Sequence, residues 1–163
     1  MSALMDAITA AFGARILETG DFRGDLTISV APEAWLEVLT FCRDNEATKF
    51  DMLDCLLGDH LPERAAAPFA LVAQLVSHTY GHRLRVKTAL TEGQAVPSVT
   101  SLWPSANFDE REAWEMYGIG FTGHPNLIRL LTTEDFEGFP MRKDFPLEGT
   151  VGGRVRTDLR GKI

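Results

Sequence analysis

Residues 69–90 read FALVAQLVSHTYGHRLRVKTAL, and this stretch decides the fold. Phe69–Thr79 is an apolar run of strand length. Over Arg83–Leu90 the residues His82, Leu84, Val86 and Thr88 fall on one face and Arg83, Arg85 and Lys87 on the other, the period of a strand with one face buried. Thr79-Tyr80-Gly81-His82 between them supplies a hairpin turn,. Working outward, Phe50–Leu57 reads as another strand, and Leu26, Ile28 and Val30 alternating with Thr27 and Ser29 as a fourth, entered through the turn residues Gly20, Asp21 and Gly24,. Leu4, Ala7, Ile8, Ala11 and Phe12 recur at helical spacing, which predicts a helix over 3–12 with Gly13 as its C-cap,. Pro32 opens a second helix with Trp35, Leu36, Leu39, Phe41 and Cys42 as its apolar stripe, and Glu33 and Arg43 stand at the ends the helix dipole prefers,. The order helix, strand, helix, three strands predicts an α+β fold: a mixed or antiparallel sheet with helices on one face.

Pro97 to Pro104 breaks the pattern, and a third helix begins near Ser105. Beyond it the composition changes, with eight Gly and three Pro between 118 and 161. We therefore expect an α+β domain over 1–117 and an extended C-terminal arm over 118–163. An arm that cannot build its own core needs another surface, such as a partner subunit it wraps, to order it.

The 163 residues amount to one domain, and 45% hydrophobic with 24% charged residues is ordinary for a folded chain,. Sixteen bases against 23 acids leave a net charge of −7, which argues against a broad nucleic-acid-binding face,. The charge is uneven: residues 1–60 carry −7, whereas 137–163 carry +2. A tail with Arg142, Lys143, Arg154, Arg156, Arg160 and Lys162 suits either an acidic partner, RNA or plain solvation,. Cys42 and Cys55 are too few for a cluster or zinc site, each of which takes about four ligands,. They read as small apolar groups in a reducing compartment. The N-terminus lacks the pattern of a signal peptide and no run has the length of a membrane span, so we expect a cytoplasmic chain that reaches a membrane only through something else,.

Few motifs carry chemistry. Gly118-Ile119-Gly120-Phe121-Thr122-Gly123 satisfies G-x-G-x-x-G with Asp144 downstream, but a helix precedes it and His124-Pro125 follows at once, whereas a dinucleotide site needs a strand before and a helix after,. Glycines that reverse the chain after a helix are the better reading. His78 and His82 are four apart, as in metal pairs, but Gly81 suggests a turn that throws them apart. No common hydrolase or phosphate-loop signature nominates a nucleophile. The block Asp109-Glu110-Arg111-Glu112, with Glu115 one turn past Glu112, offers two readings: an acid/base pair, or a salt-bridged helix start in which Arg111 braces a loop,.

At this block the chain resembles a known family. Glu110-Arg111-Glu112-Ala113-Trp114-Glu115-Met116-Tyr117-Gly118-Ile119, then Phe121-Thr122-Gly123-His124-Pro125-Asn126-Leu127 and Arg129-Leu130-Leu131, resembles the signature of the 30 kDa (C-type) subunit family of NADH:quinone oxidoreductase, respiratory complex I. Phe136 to Leu147, FEGFPMRKDFPL, resembles the family's second ordered block, and Phe50-Asp51-Met52-Leu53-Asp54-Cys55 loosely resembles a third. Glu115 stands where the family usually has Asp, Phe139 replaces a His, Thr150 replaces a Tyr, and Val151-Gly152-Gly153-Arg154-Val155-Arg156 lacks the usual tail motif.

The resemblance implies a peripheral subunit of a proton-translocating complex on the cytoplasmic side of the inner membrane. It implies no flavin, cluster or quinone in this chain, with FMN and Fe–S clusters in partner subunits. The implied neighbours are the D subunit, the quinone-site chain related to hydrogenase large subunits, and the B and I subunits. On this reading no residue is catalytic, and Arg111, His124, Arg142 and Lys143 are partner-contact candidates. Two rivals stand beside it: the equivalent subunit of a hydrogenase- or ferredoxin-linked membrane complex, and a free-standing acid/base enzyme using Glu112, Glu115 and His124.

Overall fold

The computed structural model describes residues 2–146; Thr150, the 151–156 stretch and the basic positions from Arg154 onward lie outside them. In chain order come α1 (Ser2–Phe12), β1 (Ile16–Phe22), β2 (Asp25–Val30), α2 (Trp35–Asp44), β3 (Met52–His60), β4 (Phe69–Ser77), β5 (His82–Leu90), β6 (Ala95–Pro97), α3 (Ala106–Tyr117) and β7 (Gly120–Thr122). Five strands form one sheet in the order β1-β2-β5-β4-β3, antiparallel except for the central β2–β5 pair. The sheet is therefore mixed, in an α+β fold, as the sequence pattern predicts.

Register across the sheet divides its two faces. Leu53, Leu75, Leu84 and Leu26 lie in one row, and Leu56, Ala73, Val86 and Ile28 in the next. All eight are buried, and α1 (Leu4, Ile8, Phe12) and α2 (Trp35, Val38, Leu39, Cys42) join them in one core on that face. The third helix packs against β3, the last strand of the sheet. Asp109 Oδ2 accepts the Leu56 N–H at 3.0 Å, which satisfies a donor on this otherwise unpaired edge. The Tyr117 ring lies on Gly58, where a Cβ would sit 2.6 Å from Cδ2, so only glycine permits the approach.

Three elements differ from the sequence reading. Gly20 and Asp21, read as turn residues, lie inside β1, and the turn is made by Arg23 and Gly24 at φ +56° and +91°, the backbone a tight hairpin demands. All of β1 but Ile16 is exposed, so no apolar alternation announces it. A bulge between Leu53 and Cys55 shifts the alternation of β3, which runs on to His60 rather than ending at Leu57,. Finally, β6 and β7 pair in parallel on either side of the connection that holds α3; three residues each are too short to show a period. This pairing ties the chain just past 117 into the domain, while residues 123–146 contain neither helix nor strand.

Candidate docking surface along helix α3

Three charged residues of α3, Glu110, Arg111 and Glu115, point inward. Glu110 occupies the buried stripe between Ala106 and Ala113, is itself fully buried, and accepts the Ser98 hydroxyl and the Val99 N–H, each at 2.6 Å. Burial pushes its carboxyl above the usual carboxylate value, and these two bonds oppose that rise,. His124 lies beside it, Nε2 being 3.9 Å from Oε2, with no side-chain exposure. The Asn126 N–H donates to His124 Nδ1 at 3.0 Å, so the proton sits on Nε2, which donates to the Asn107 carbonyl at 3.2 Å,.

The next residue, Arg111, donates to the carbonyls of Ile128 (2.9 Å) and Arg129 (2.8 Å). Glu115 accepts the N–H groups of Leu130, Leu131 and Thr132 at 2.6–2.9 Å and the Thr132 hydroxyl. Burial alone would raise the Glu115 carboxyl, but the Thr132 hydroxyl and three backbone donors outweigh it and hold it at about 2,. Arg129 closes the loop by donating to Thr132 Oγ1 and to the Phe136 carbonyl. Together these bonds fix residues 128–136 as an ordered strap against the helix.

A second latch lies at the end of α3. Gly118, at φ +78°, ends the helix with its N–H on the Trp114 carbonyl,. Arg142 donates to the Tyr117 carbonyl and to Glu92, and its guanidinium sits 4.6 Å from the Phe69 ring centre and 4.3 Å from that of Phe139,. The Lys143 N–H donates to His60 Nδ1 at 2.9 Å. Of the four contact candidates, Arg111, His124 and Arg142 thus spend their polar atoms within the chain, whereas Lys143 is exposed.

What these staples hold outward is apolar. Phe108 beside Arg111, Ile128 at its carbonyl contact, Leu131 at Glu115 and Met141 on the Met116 carbonyl are all more than half exposed. With Leu130 they form a succession of exposed large hydrophobics along one helix, the kind of surface that marks a protein interface.

The remaining sequence motifs resolve structurally. Gly118 and Gly123 are turn positions at φ +78° and Gly120 lies in β7 against Ala95, so no helix N-terminus receives a phosphate there. His78 pairs with Asp51 while His82 stacks on Tyr80, and among the described residues no group of three His, Cys, Asp or Glu is placed to hold a metal. Burial pushes the Cys42 thiol to about 12, and Cys55 is half-buried. Glu112 is exposed whereas Glu115 is buried, so the two carboxylates do not share an environment. Ser98, Thr132 and His60 also carry the geometry, yet no motif singles them out, because their partners Glu110, Glu115 and Lys143 are distant in sequence. Glu110 and Arg129 stand in the quoted motifs, but only for Glu110 does helical spacing between Ala106 and Ala113 signal an inward role.

The family model described as respiratory-chain NADH dehydrogenase, 30 kDa subunit, matches residues 28–151. The chain belongs to this family. It is 44% identical over 146 residues to the C 2 subunit of NADH-quinone oxidoreductase from Rhizobium meliloti, covering 89% of this chain and 79% of that protein. It is 46% identical over 137 residues to the C subunit of NADH-quinone oxidoreductase from Caulobacter vibrioides, covering 84% and 69%. Among solved structures, the trypsin-resistant fragment (1–134) of Nqo5 superposes with a TM-score of 0.64 at 30% identity, over 76% of this chain and 98% of that one. A chain of the membrane-bound sulfane sulfur reductase, an archaeal respiratory membrane complex, superposes with a TM-score of 0.76 at 20% identity, over 90% and 85%, which shows a shared fold. The family places this chain in a respiratory electron-transport complex of the NADH-quinone oxidoreductase type. Among the described residues no helix is long and apolar enough to cross a membrane.

Proposed function

We propose that the chain is a cofactor-free assembly subunit of the peripheral arm of a proton-translocating NADH:quinone oxidoreductase, on the cytoplasmic side of the membrane. It packs beside the quinone-site D subunit and near the B and I subunits, so that electrons pass from NADH through FMN and Fe–S clusters in other chains to quinone. One observation carries this reading: the signature Arg111 and Glu115 are spent on holding the strap and Glu110 on the loop before α3, and the surface they fix is an exposed apolar row. Residues that touch a substrate keep polar atoms free; these do not. The chemistry follows from the electrostatics. Electron transfer needs its centres held in fixed geometry, and a strap pinned by a buried carboxylate cannot drift without exposing several unpaired N–H groups.

The acid/base alternative fares worse on the same grounds. A carboxylate held at about 2 by four donors is a poor proton carrier at neutral pH,. The hydrogenase- or ferredoxin-linked alternative keeps the same docking role, and the shared fold of the archaeal membrane complex accommodates it; the electron donor that reduces the purified assembly separates the two.

The test replaces Phe108 and Leu131, exposed at 59% and 63%, by glutamate. Because neither is in the core, the melting temperature should move by less than about 2 °C. Recovery of the assembled complex should fall at least tenfold, since placing carboxylates in a desolvated contact costs about 2 kcal/mol or more. Full assembly with both substitutions would refute the docking role of this row.

A further inference from the structure

Among the described residues no element covers the face of the five-stranded sheet opposite the core, and its side chains are sorted by strand. Rows across it run Met52, Val76, Arg83; then Cys55, Gln74, Arg85, Thr27; then Leu57, Val72, Lys87, Ser29. Read as columns, β3 is apolar at Met52, Cys55 and Leu57 with Asp54 in its bulge and Asp59 at its far end, β4 is mostly apolar, β5 is a line of three cations, and β2 adds Asp25 and two hydroxyls. Met52 and Leu57 are 39% and 46% exposed. In a chain of net charge −7, three successive outward positions of a central strand are basic. Asp25 and Asp54 line a shallow hollow with Arg83 and Arg85, yet none of the three cations forms an ion pair among the described residues.

We infer that this face is the seat of an acidic amphipathic helix from a neighbouring subunit, lying along β4 with its apolar side on β3 and its carboxylates over β5. The inference rests on the subunit role proposed above and adds a second surface to it. Dimensions and charge select the occupant. Strands are about 4.8 Å apart, so the apolar and cationic columns on either side of β4 are about 10 Å apart, which matches the 10–12 Å width of a helix. Cations at every second strand residue repeat at about 6.7 Å, close to the 6 Å between carboxylates at i and i+4 of a helix. A helix satisfies its own backbone, whereas an extended segment crossing side chains would not. Residues 147–163, with four bases against two acids, carry the wrong charge to fill the site. RNA is disfavoured because the outward positions of β3, β4 and β5, where the cations lie, include no aromatic for a base to stack on,.

The test uses the purified complex. A photo-crosslinking amino acid at Leu57 should join a peptide of another subunit that carries acids at three- to four-residue spacing. Iodoacetamide should modify Cys55, which belongs to this face, at least tenfold more slowly in the complex than in the free chain. The Arg83→Glu/Arg85→Glu/Lys87→Glu variant should lower recovery of the crosslinked neighbour at least tenfold, with Arg85→Gln as a milder substitution if the triple variant melts early. Crosslinks to residues 147–163, to nucleic acid or to a segment without acidic periodicity would overturn the inference, as would equal Cys55 labelling in both states. If the face variants assemble normally while the Phe108 and Leu131 variants do not, this inference fails and the docking role stands. If both sets assemble normally, the docking role itself fails.

Discussion

Replacing Glu115 by glutamine should destabilise the protein by about 3 kcal/mol at pH 7. The native carboxyl is held at about 2 against an ordinary 4.5, and about 2.5 units at 1.36 kcal/mol each set that scale. Glutamine keeps the shape but removes the charge, and its amide can turn N–H groups toward the donors of Leu130, Leu131 and Thr132,. For a domain of this size the melting temperature should fall by roughly 10 °C. The pH dependence fixes the sign. Because the native carboxyl titrates below the unfolded one, its contribution is complete above about 4.5 and is lost as pH falls toward about 2,. Wild type and variant should therefore differ most at neutral pH and converge in acid. Glu110 acts in the opposite sense: its value is raised by burial, so its penalty eases as pH falls from its native value toward 4.5. Urea melts from pH 7 to pH 2 check both. Hydrogen exchange at residues 130–132 checks the mechanism, since release of the strap alone would expose those three amides first. Arg111→Met acts on the same strap through the Ile128 and Arg129 carbonyls, so the double variant should cost less than the two single costs combined. A pH-independent difference between wild type and Glu115→Gln would show that the carboxylate is not the holding charge.

The second large effect is expected at Gly118. Valine there must adopt φ +78°, and its Cβ would meet Arg142 Nη2 at 2.6 Å and Phe139 Cζ at 2.7 Å. The left-handed backbone costs a branched residue about 2 kcal/mol. Moving the guanidinium to relieve the clash breaks its bond to the Tyr117 carbonyl and its seat between Phe69 and Phe139, a further 1–2 kcal/mol or so. Gly118→Val should therefore cost about 3–4 kcal/mol. Gly123 supplies the control, since it shares φ +78° but a Cβ there meets nothing within 4 Å. Gly123→Ala should cost only the backbone term, about 1–2 kcal/mol. Equal losses at both positions, read by thermal or urea unfolding, would mean that the Arg142 latch contributes nothing.

Legibility in the sequence follows periodicity. His82 to Leu90 states its buried and open faces residue by residue, and the structure keeps that division. The α3 block is visible as a dense group of charges, but its direction is not. In sequence Glu110, Arg111, Glu112 and Glu115 look alike; only packing shows that Glu112 meets solvent while the other three turn inward.

The sequence alone determined the α+β class, a sheet with helices on one face and the family, because alternation, helical spacing and ordered motifs are local properties of the chain; that the sheet is mixed was decided by the parallel β2–β5 pair. Tertiary structure decided the edge strand β1, the β6–β7 pairing and the use of the signature residues as staples. The β6–β7 pairing and the staples depend on partners distant in sequence, whereas β1 pairs locally but is exposed and shows no period; the energy of a buried charge is set by which donors fold around it rather than by its neighbours in sequence.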